Sequence, residues 1–332
     1  MADAILGIDI GKTKCQATLL IGKKRVRRSF RNHVDDFASL SKWLAKHGVT
    51  HCHACLEAAG SDWEEIALFV HGNGFVVSVV NPARIRAYAE SKLSRNKTDK
   101  LDADLIADYC ATQQPETWTP PPAEVQTLQA LVRRLEDLIA MRTQETNRLK
   151  SGSPGPLSGA SAQTVRRQLE RHIAYLTEQI EECEAQIHDH IDRHPRLCED
   201  KELLVTIPGI SHITAVKLLA ANIQAFRSTR ALSAFAGLNP QAHQSGSSVR
   251  HRPRLSKIGP PALRHALYFP AISASTHNPL VRALCERLAQ RNKPRMVQIG
   301  AAMRKLLCLA LGILKSRQPF DPNYAASART PA

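Results

Sequence analysis

RNKTDKLDADLIADYC, residues 95–110, is the stretch whose reading decides the fold. Wound as a helix, it gathers Leu105, Ile106, Tyr109 and Cys110 into one apolar stripe, and Asp99 and Asp102 fall inside that stripe. Asp104 and Asp108 land on the opposite side, where a solvated face is expected. A carboxylate turned toward a core is costly unless cations or hydrogen bonds compensate. Two of them three residues apart on one apolar face therefore point to a divalent metal site. The plainer alternative is pairing with Lys or Arg, and Lys97 and Lys100 are close enough to serve.

Working outward toward the N-terminus, residues 4–10, AILGIDI, form a short apolar strand that delivers Asp9 at its end. A turn at Gly11 leads to a second strand at 15–21. The next turn and strand, KKRVRRSFR at 23–31, crowd together six basic side chains, among them Lys23, Lys24, Arg25, Arg27 and Arg28. Such a ridge can follow a phosphate backbone, or it can be an edge strand protected by charge. Phe37, Leu40, Trp43 and Leu44 recur at helical spacing, and the strand at 52–56 ends at Glu57, which emerges much as Asp9 does. A helix at 63–71, a buried strand at 75–80 closed by Asn81-Pro82, and a helix at 84–90 follow. The order β-β-β-α-β-α, with the strand at 52–56 counted as the third and acids at the ends of strands one and three and on a late helix, fits a ribonuclease H or RuvC-like α/β domain over residues 1–117. In such a layout distant carboxylates converge at one sheet edge and can hold two Mg²⁺ ions about 3.5–4 Å apart.

A Pro-rich joint, WTPPPAE at 118–124, opens a helical middle region at 118–198. Leu128, Leu131, Leu135 and Leu138 alternate spacings of three and four, SGSPGPLSG at 151–159 interrupts, and Val165 to Ile187 resume the pattern. This is an antiparallel hairpin or a coiled coil used for dimerisation, which periodicity alone does not separate. Residues 199–332 then read as a mainly α domain. LLVTIPGISHITAVKLLA, from Leu203, is a helix-hairpin-helix candidate able to bind phosphate at its second helix, or an ordinary helical corner. Between Gln241 and Gly259 the chain is polar and basic, carrying Arg250, Arg252, Arg254 and Lys257, with Arg264 just beyond. This is an exposed positive loop suited to nucleic acid. Its SGSS core at 245–248 offers hydroxyls, although Ser and Gly are the default residues of loops. Helices at 261–276, 279–291 and 296–316 buttress it.

The 332 residues carry a formal charge of +15, unevenly spread. Residues 201–332 hold 19 basic and 3 acidic side chains, a net +16, against 26 and 27 before them. A folded segment so charged favours a polyanionic partner, and nucleic acid is the commonest. No basic amphipathic helix with exposed Trp or Phe argues for a membrane surface instead. MADAILGIDIGK lacks the basic start and apolar run of a signal peptide, and no uninterrupted apolar run approaches the roughly 20 residues that span a bilayer. The expectation is a cytoplasmic protein without a membrane partner. Eight scattered cysteines fit a reducing compartment, and HCHAC at 51–55 lacks a second Cys or His pair at zinc spacing.

GIDIGK at 7–12, CLEAAG at 55–60, RNKTDKLDAD at 95–104, IPGI at 207–210, FAGLNP at 235–240 and SGSSVR at 245–250 together resemble the DEDD-type insertion-sequence transposases of the IS110 group, relatives of the Piv-type DNA invertases. The resemblance runs nearly end to end. It implies a RuvC-like domain whose four acids are Asp9, Glu57, Asp99 and Asp102, serving both as metal ligands for Mg²⁺ or Mn²⁺ and in catalysis. It also implies a C-terminal transposase domain whose Ser245 is a nucleophile forming a phosphoserine-DNA link. A structured noncoding bridge RNA pairing with donor and target DNA is implied as guide, and a homo-oligomer, a dimer or a tetramer on DNA, as the working form. Asp104 stands where the matching motif can carry a basic residue.

Three rivals make different predictions. A RuvC-like metal-dependent Holliday junction endonuclease needs Asp102 but not Ser245. An actin-like sugar kinase, suggested by GIDIGKTK, needs a second Gly-rich phosphate loop, for which only HGNG at 71–74 is present. A non-catalytic nucleic-acid-binding protein requires no divalent ion.

Overall fold

A computed structural model describes residues 4–58, 60, 62–92, 99–151, 160–241, 244–245, 249–250 and 254–323. Two compact units make up the chain, Met1–Pro120 and Pro121–Ala332.

The first unit runs β1 (Ala4–Ile10), β2 (Lys14–Ile21), β3 (Lys24–Arg31), α1 (Val34–Lys46), β4 (Cys52–Glu57), α2 (Glu64–Gly72), β5 (Val76–Val80), α3 (Pro82–Ser91) and α4 (Asp99–Gln113). Glu57 thus ends the fourth strand, since the basic segment at 24–31 is itself a strand, and β5, α3 and α4 stand where the sequence predicts the strand at 75–80 and the helices at 84–90 and 95–110. The sheet order is β3-β2-β1-β4-β5. β1 to β3 form an antiparallel meander, while β1, β4 and β5 are parallel and joined through helices. Strand alternation divides the core. Leu6 and Ile8 of β1 join Leu19, Phe37, Leu40, Leu44 and Ile66 on the face covered by α1 and α2. Ile5 and Cys55 turn the other way, toward Ile85, Ile106, Tyr109 and Cys110 of α3 and α4. This is an α/β unit with helices on both faces.

Asn81-Pro82 both closes β5 and starts α3. Asn81 Oδ1 accepts from the Ala83 amide at 2.8 Å and Pro82 supplies the first helical residue, whose missing N–H costs nothing there. After α4 the chain covers the outer edge of β5. The Trp118 amide donates to Val77 O at 2.7 Å, and the Ser78 hydroxyl donates to Glu116 O at 2.9 Å. The Trp118 ring meets Trp63 edge to face at 5.7 Å, so Trp118 packs within the first unit and the joint falls at Pro120–Pro121.

The second unit contains α5 (Ala123–Ser151), α6 (Ala160–Asp192), α7 (Pro195–Val205), α8 (His212–Ala220), α9 (Thr229–Phe235), β6 (Pro240–Gln241), β7 (Gln244–Ser245), β8 (Val249–Arg250), β9 (Arg254–Leu255), α10 (Pro261–His277), α11 (Pro279–Gln290) and α12 (Arg295–Ser316). α5 and α6 close on each other as an antiparallel hairpin. The Cys183 thiol donates to Leu131 O, and His190 Nε2 lies 2.8 Å from Glu124 O. Their apolar seam, Leu128, Leu135 and Leu138 against Leu176, Ile180, Cys183 and Ile187, is buried within one chain. α12 is a long, largely apolar helix of the unit. An 18-residue window of its 22 residues has mean hydropathy 1.6, enough by length and composition to cross a bilayer, yet 61% of that window is buried inside the unit. Ala302, Leu306, Leu307 and Ala310 are fully buried, as expected of a core helix apolar on most sides.

The turn between α7 and α8 is built into this core. A Cβ at Gly209 would lie 2.7 Å from Ala274 Cβ of α10, and the Asn278 amide donates to Pro208 O at 3.3 Å. That packing favours a helical corner over an open phosphate-binding hairpin. Asn278 is fully buried, and its Oδ1 also caps α11, accepting from the Leu280 and Val281 amides at 3.1 and 3.2 Å. Asn278→Ala loses the cap and leaves buried donors unmatched, so urea unfolding should show a loss of about 2 kcal/mol. A loss below about 0.5 kcal/mol would mean that the corner does not depend on this side chain.

Candidate active site

Asp9 and Glu57 come together because β1 and β4 are parallel neighbours. Ile8 pairs with Leu56, so the next step along both strands is Asp9 beside Glu57. Alternation puts them on one face. Gly7 lies directly under α4, where a Cβ would sit 2.4 Å from the Ala107 amide nitrogen and 2.5 Å from Ala103 O, and Asp9 is two residues further on. On β4 the corresponding neighbour is Cys55, which is hydrogen-bonded with Cys110 of α4, and Glu57 follows two residues later. Both carboxylates are half-buried.

The direction of α4 brings the other two acids to the same edge. Ala103 and Ala107 flank Gly7, whereas Cys110 reaches back to His53 O, toward the start of β4. α4 therefore runs against β1 and β4, and its first turn, which begins at Asp99 and contains half-buried Asp102, lies at the strand ends that carry Asp9 and Glu57. The positive end of the helix dipole favours anionic groups at this point. The charge of Asp9 also reaches Cys15, whose thiol is pushed up to about 12 by burial and then by Asp9 and Asp62. Among the described residues, which leave out the Asp99 side chain, no three His, Cys, Asp or Glu groups are gathered closely enough to hold an ion. The donors at this edge are nevertheless all carboxylate oxygens, the hard ligands that suit Mg²⁺ or Mn²⁺ rather than zinc.

Asp104 departs from its expected place on a solvated face. It is 7% exposed and accepts three hydrogen bonds, from the Thr18 hydroxyl at 2.8 Å and from Arg27 Nε and Nη2 at 2.9 and 2.6 Å. Burial pushes its carboxyl up, but the Arg27 guanidinium and the Thr18 hydroxyl together hold it below the usual carboxylate range. One turn later Asp108 accepts from Arg25, whose Nη2 alone reaches both carboxylate oxygens, at 2.8 and 3.0 Å. The face is covered because α4 lies beside β2 and β3, whose Thr18 and long arginines rise over it. Thr18 pairs with Arg27 across the two strands, so both point to the helix side.

Three of the basic residues expected to face nucleic acid make hydrogen bonds within the chain, Arg25 and Arg27 while remaining exposed. Arg25 and Arg27 hold α4, and Arg264 Nη1 donates to Gly259 O at 2.9 Å and to Ala236 O at 3.1 Å. Lys23, Lys24, Arg254 and Lys257 are exposed and Arg28 is half-exposed. Arg252 lies outside the described residues, as do the side chains of Ser245, Arg250 and Asp99.

The basic loop is a ribbon at its described positions. β6 pairs with β9 at its base, and β7 pairs with β8, Ser245 opposite Val249, at its outer end. Its base is pinned by close backbone contact. Gly259 has φ +137° and a Cβ there would meet Phe235 O at 1.8 Å, so only glycine fits. Leu255 packs over Gly300 of α12, 3.1 Å from where a Cβ would stand. Sequence reasoning missed Gly7, Thr18 and Asp104 as parts of the site; the small residues Gly7, Ala103 and Ala107 were its available signal.

A family model described as a transposase matches residues 6–152, and a second, of the transposase IS116/IS110/IS902 family, matches residues 201–286. The chain is 32% identical over 330 residues to the pilin gene-inverting protein of Moraxella bovis, covering 97% of this chain and 98% of that protein. It is 28% identical over 295 residues to the transposase for insertion sequence element IS1328 of Yersinia enterocolitica, covering 79% and 81%. A solved structure of T. thermophilus RuvC in complex with Holliday junction substrate is similar over 35% of this chain and 99% of that chain, at 11% identity and a TM-score of 0.28.

Proposed function

The chain belongs to the IS116/IS110/IS902 family of transposases, and from that premise we propose that it cuts and rejoins donor and target DNA through a DEDD carboxylate set and a serine nucleophile, guided by a bridge RNA. It is a DNA transposase or recombinase; the residues and the guide are the proposal. One observation carries it: Asp9, Glu57 and the first turn of α4 meet at a single edge on a single face of the sheet.

In this reading Asp9, Glu57, Asp99 and Asp102 hold two divalent cations, Mg²⁺ or Mn²⁺. When bound, such ions stabilise negative charge on the scissile phosphate. Ser245 stands at the outer end of a basic ribbon, next to the positions that a phosphate backbone would follow. Its Oγ forms a bond to phosphorus as the bond to the leaving strand oxygen breaks, and its hydroxyl proton passes to a base while the leaving oxygen takes one up. The phosphoserine ester keeps the phosphodiester's energy for resealing on a new strand. Lys23, Lys24, Arg28, Arg250, Arg252, Arg254 and Lys257 are the proposed phosphate contacts. The net +16 of residues 201–332 supplies charge enough for both DNA and RNA, and the working form is a homo-oligomer.

Covalent trapping tests the chemistry. Incubated with DNA bearing the ends of its own element and the RNA transcribed beside it, the wild-type protein should yield a denaturant-resistant protein-DNA adduct. Ser245→Ala should yield none while still binding RNA. An adduct surviving in that variant would reassign the nucleophile, and cleavage without any adduct in the wild type would favour a hydrolytic RuvC-like endonuclease.

A further inference from the structure

The acids at the start of α4 are useful only if the helix is held at one rotation about its axis. A side chain ends about 5–6 Å from a helix axis, so a turn of about 10° displaces a carboxylate by about 1 Å. Gly7 fixes how closely α4 approaches the sheet, because backbone meets backbone there. Close approach at small residues does not by itself fix rotation. The contacts that can do so lie on the flank, at Asp104 and Asp108.

We infer that Arg27 is a positioning residue for the carboxylate set: by gripping Asp104 with two parallel hydrogen bonds it locks the rotation of α4, and so places the acids of its first turn. This rests on the proposed role of Asp102 and its partners. Asp104 follows Asp102 by two residues on a rigid helix, and its side chain is 10% exposed, whereas Arg27 is 51% exposed. The two guanidinium bonds, at 2.9 and 2.6 Å, define a plane, which a single point contact does not. Thr18 adds a third bond at 2.8 Å from β2, and one turn along Arg25 holds Asp108 through the single nitrogen Nη2, a point contact without the fork. Removing Arg27 leaves a buried carboxylate with only the Thr18 hydroxyl hydrogen-bonded to it and the more distant Arg25 Nη1 at 3.9 Å. The least costly response is for α4 to roll until Asp104 meets water, and that roll carries Asp102 away from Glu57 and Asp9.

The test uses the full chain and three variants. Mn²⁺ binding is followed by electron paramagnetic resonance without DNA, and cleavage of element-end DNA is measured at saturating DNA. Arg27→Met should weaken Mn²⁺ binding about tenfold, the effect expected of a group that orients a ligand. It should lower kcat about 100-fold, as a misplacement of about 1 Å does, with KM for DNA unchanged within about threefold. Arg27→Lys, which keeps the charge and loses the fork, should fall between, and Thr18→Val should move both readouts in the same direction by less. If Arg27→Met does not fold, the other two variants decide. Weaker DNA affinity and a flatter salt dependence with unchanged Mn²⁺ binding would make Arg27 a DNA contact and overturn the inference. A lower melting temperature with unchanged Mn²⁺ binding and kcat would make it a plain brace and overturn it equally. Asp102→Asn serves as the separate control: retention of Mn²⁺ binding and cleavage there would sink the carboxylate reading itself.

Discussion

Replacing Glu57 with Gln should reduce DNA cleavage by about 10³-fold or more while leaving the fold in place. The substitution keeps the shape of a half-buried side chain at the end of β4 and removes only its charge. Losing one group that stabilises transition-state charge in a preorganised site costs about 10²–10³ in kcat, and a carboxylate that would hold a cation sits at the upper end of that range or beyond. Stability should change far less than activity, since the substitution opens no cavity. Asp9→Asn should match it, since the two residues occupy the same step of paired strands. The measurement is single-turnover cleavage of element-end DNA, with urea unfolding beside it. Activity within tenfold of wild type would remove Glu57 from the catalytic set.

Gly7→Ala should damage both stability and activity from a position with no chemistry of its own. The added Cβ would meet the Ala107 amide nitrogen at 2.4 Å and Ala103 O at 2.5 Å, both backbone atoms of α4. No side chain can swing away to relieve that contact, so the whole helix must lift. Overpacking of this kind costs about 1–3 kcal/mol. A lift of about 1 Å also moves the first turn of α4 relative to β1 and β4, which should lower kcat about 100-fold. A variant with unaltered urea midpoint and cleavage rate would show that α4 is not seated on Gly7. The two substitutions are complementary: one removes charge from an intact scaffold, the other displaces the scaffold with every charge present.

The apolar stripe of α4 was legible in advance. Leu105, Ile106, Tyr109 and Cys110 recur at helical spacing, and the structure seats Ile106, Tyr109 and Cys110 against Cys55 and Val80. Asn81, Pro82 and Ser211 likewise mark helix starts by local chemistry that needs no partner elsewhere. The surroundings of Asp104 were not legible. Helical periodicity assigns it to the side away from the stripe, and an isolated helix would expose it to water. In the folded unit that side meets Thr18 and Arg27, 86 and 77 residues away along the chain. The same long-range contacts pair Arg25 and Arg27 of the basic ridge with carboxylates of α4.

The sequence by itself determined the elements, the acids at their ends and the positive last third of the chain, because strand and helix periods, caps and charge are properties of neighbours along the backbone. Only tertiary structure decided that β4 lies beside β1 so that Asp9 meets Glu57, that α4 runs against them with its first turn at their carboxyl ends, and that β3 arginines lock its flank. Those outcomes depend on strand order and helix seating. Both are settled by contacts between residues tens of positions apart, for which local spacing carries no information.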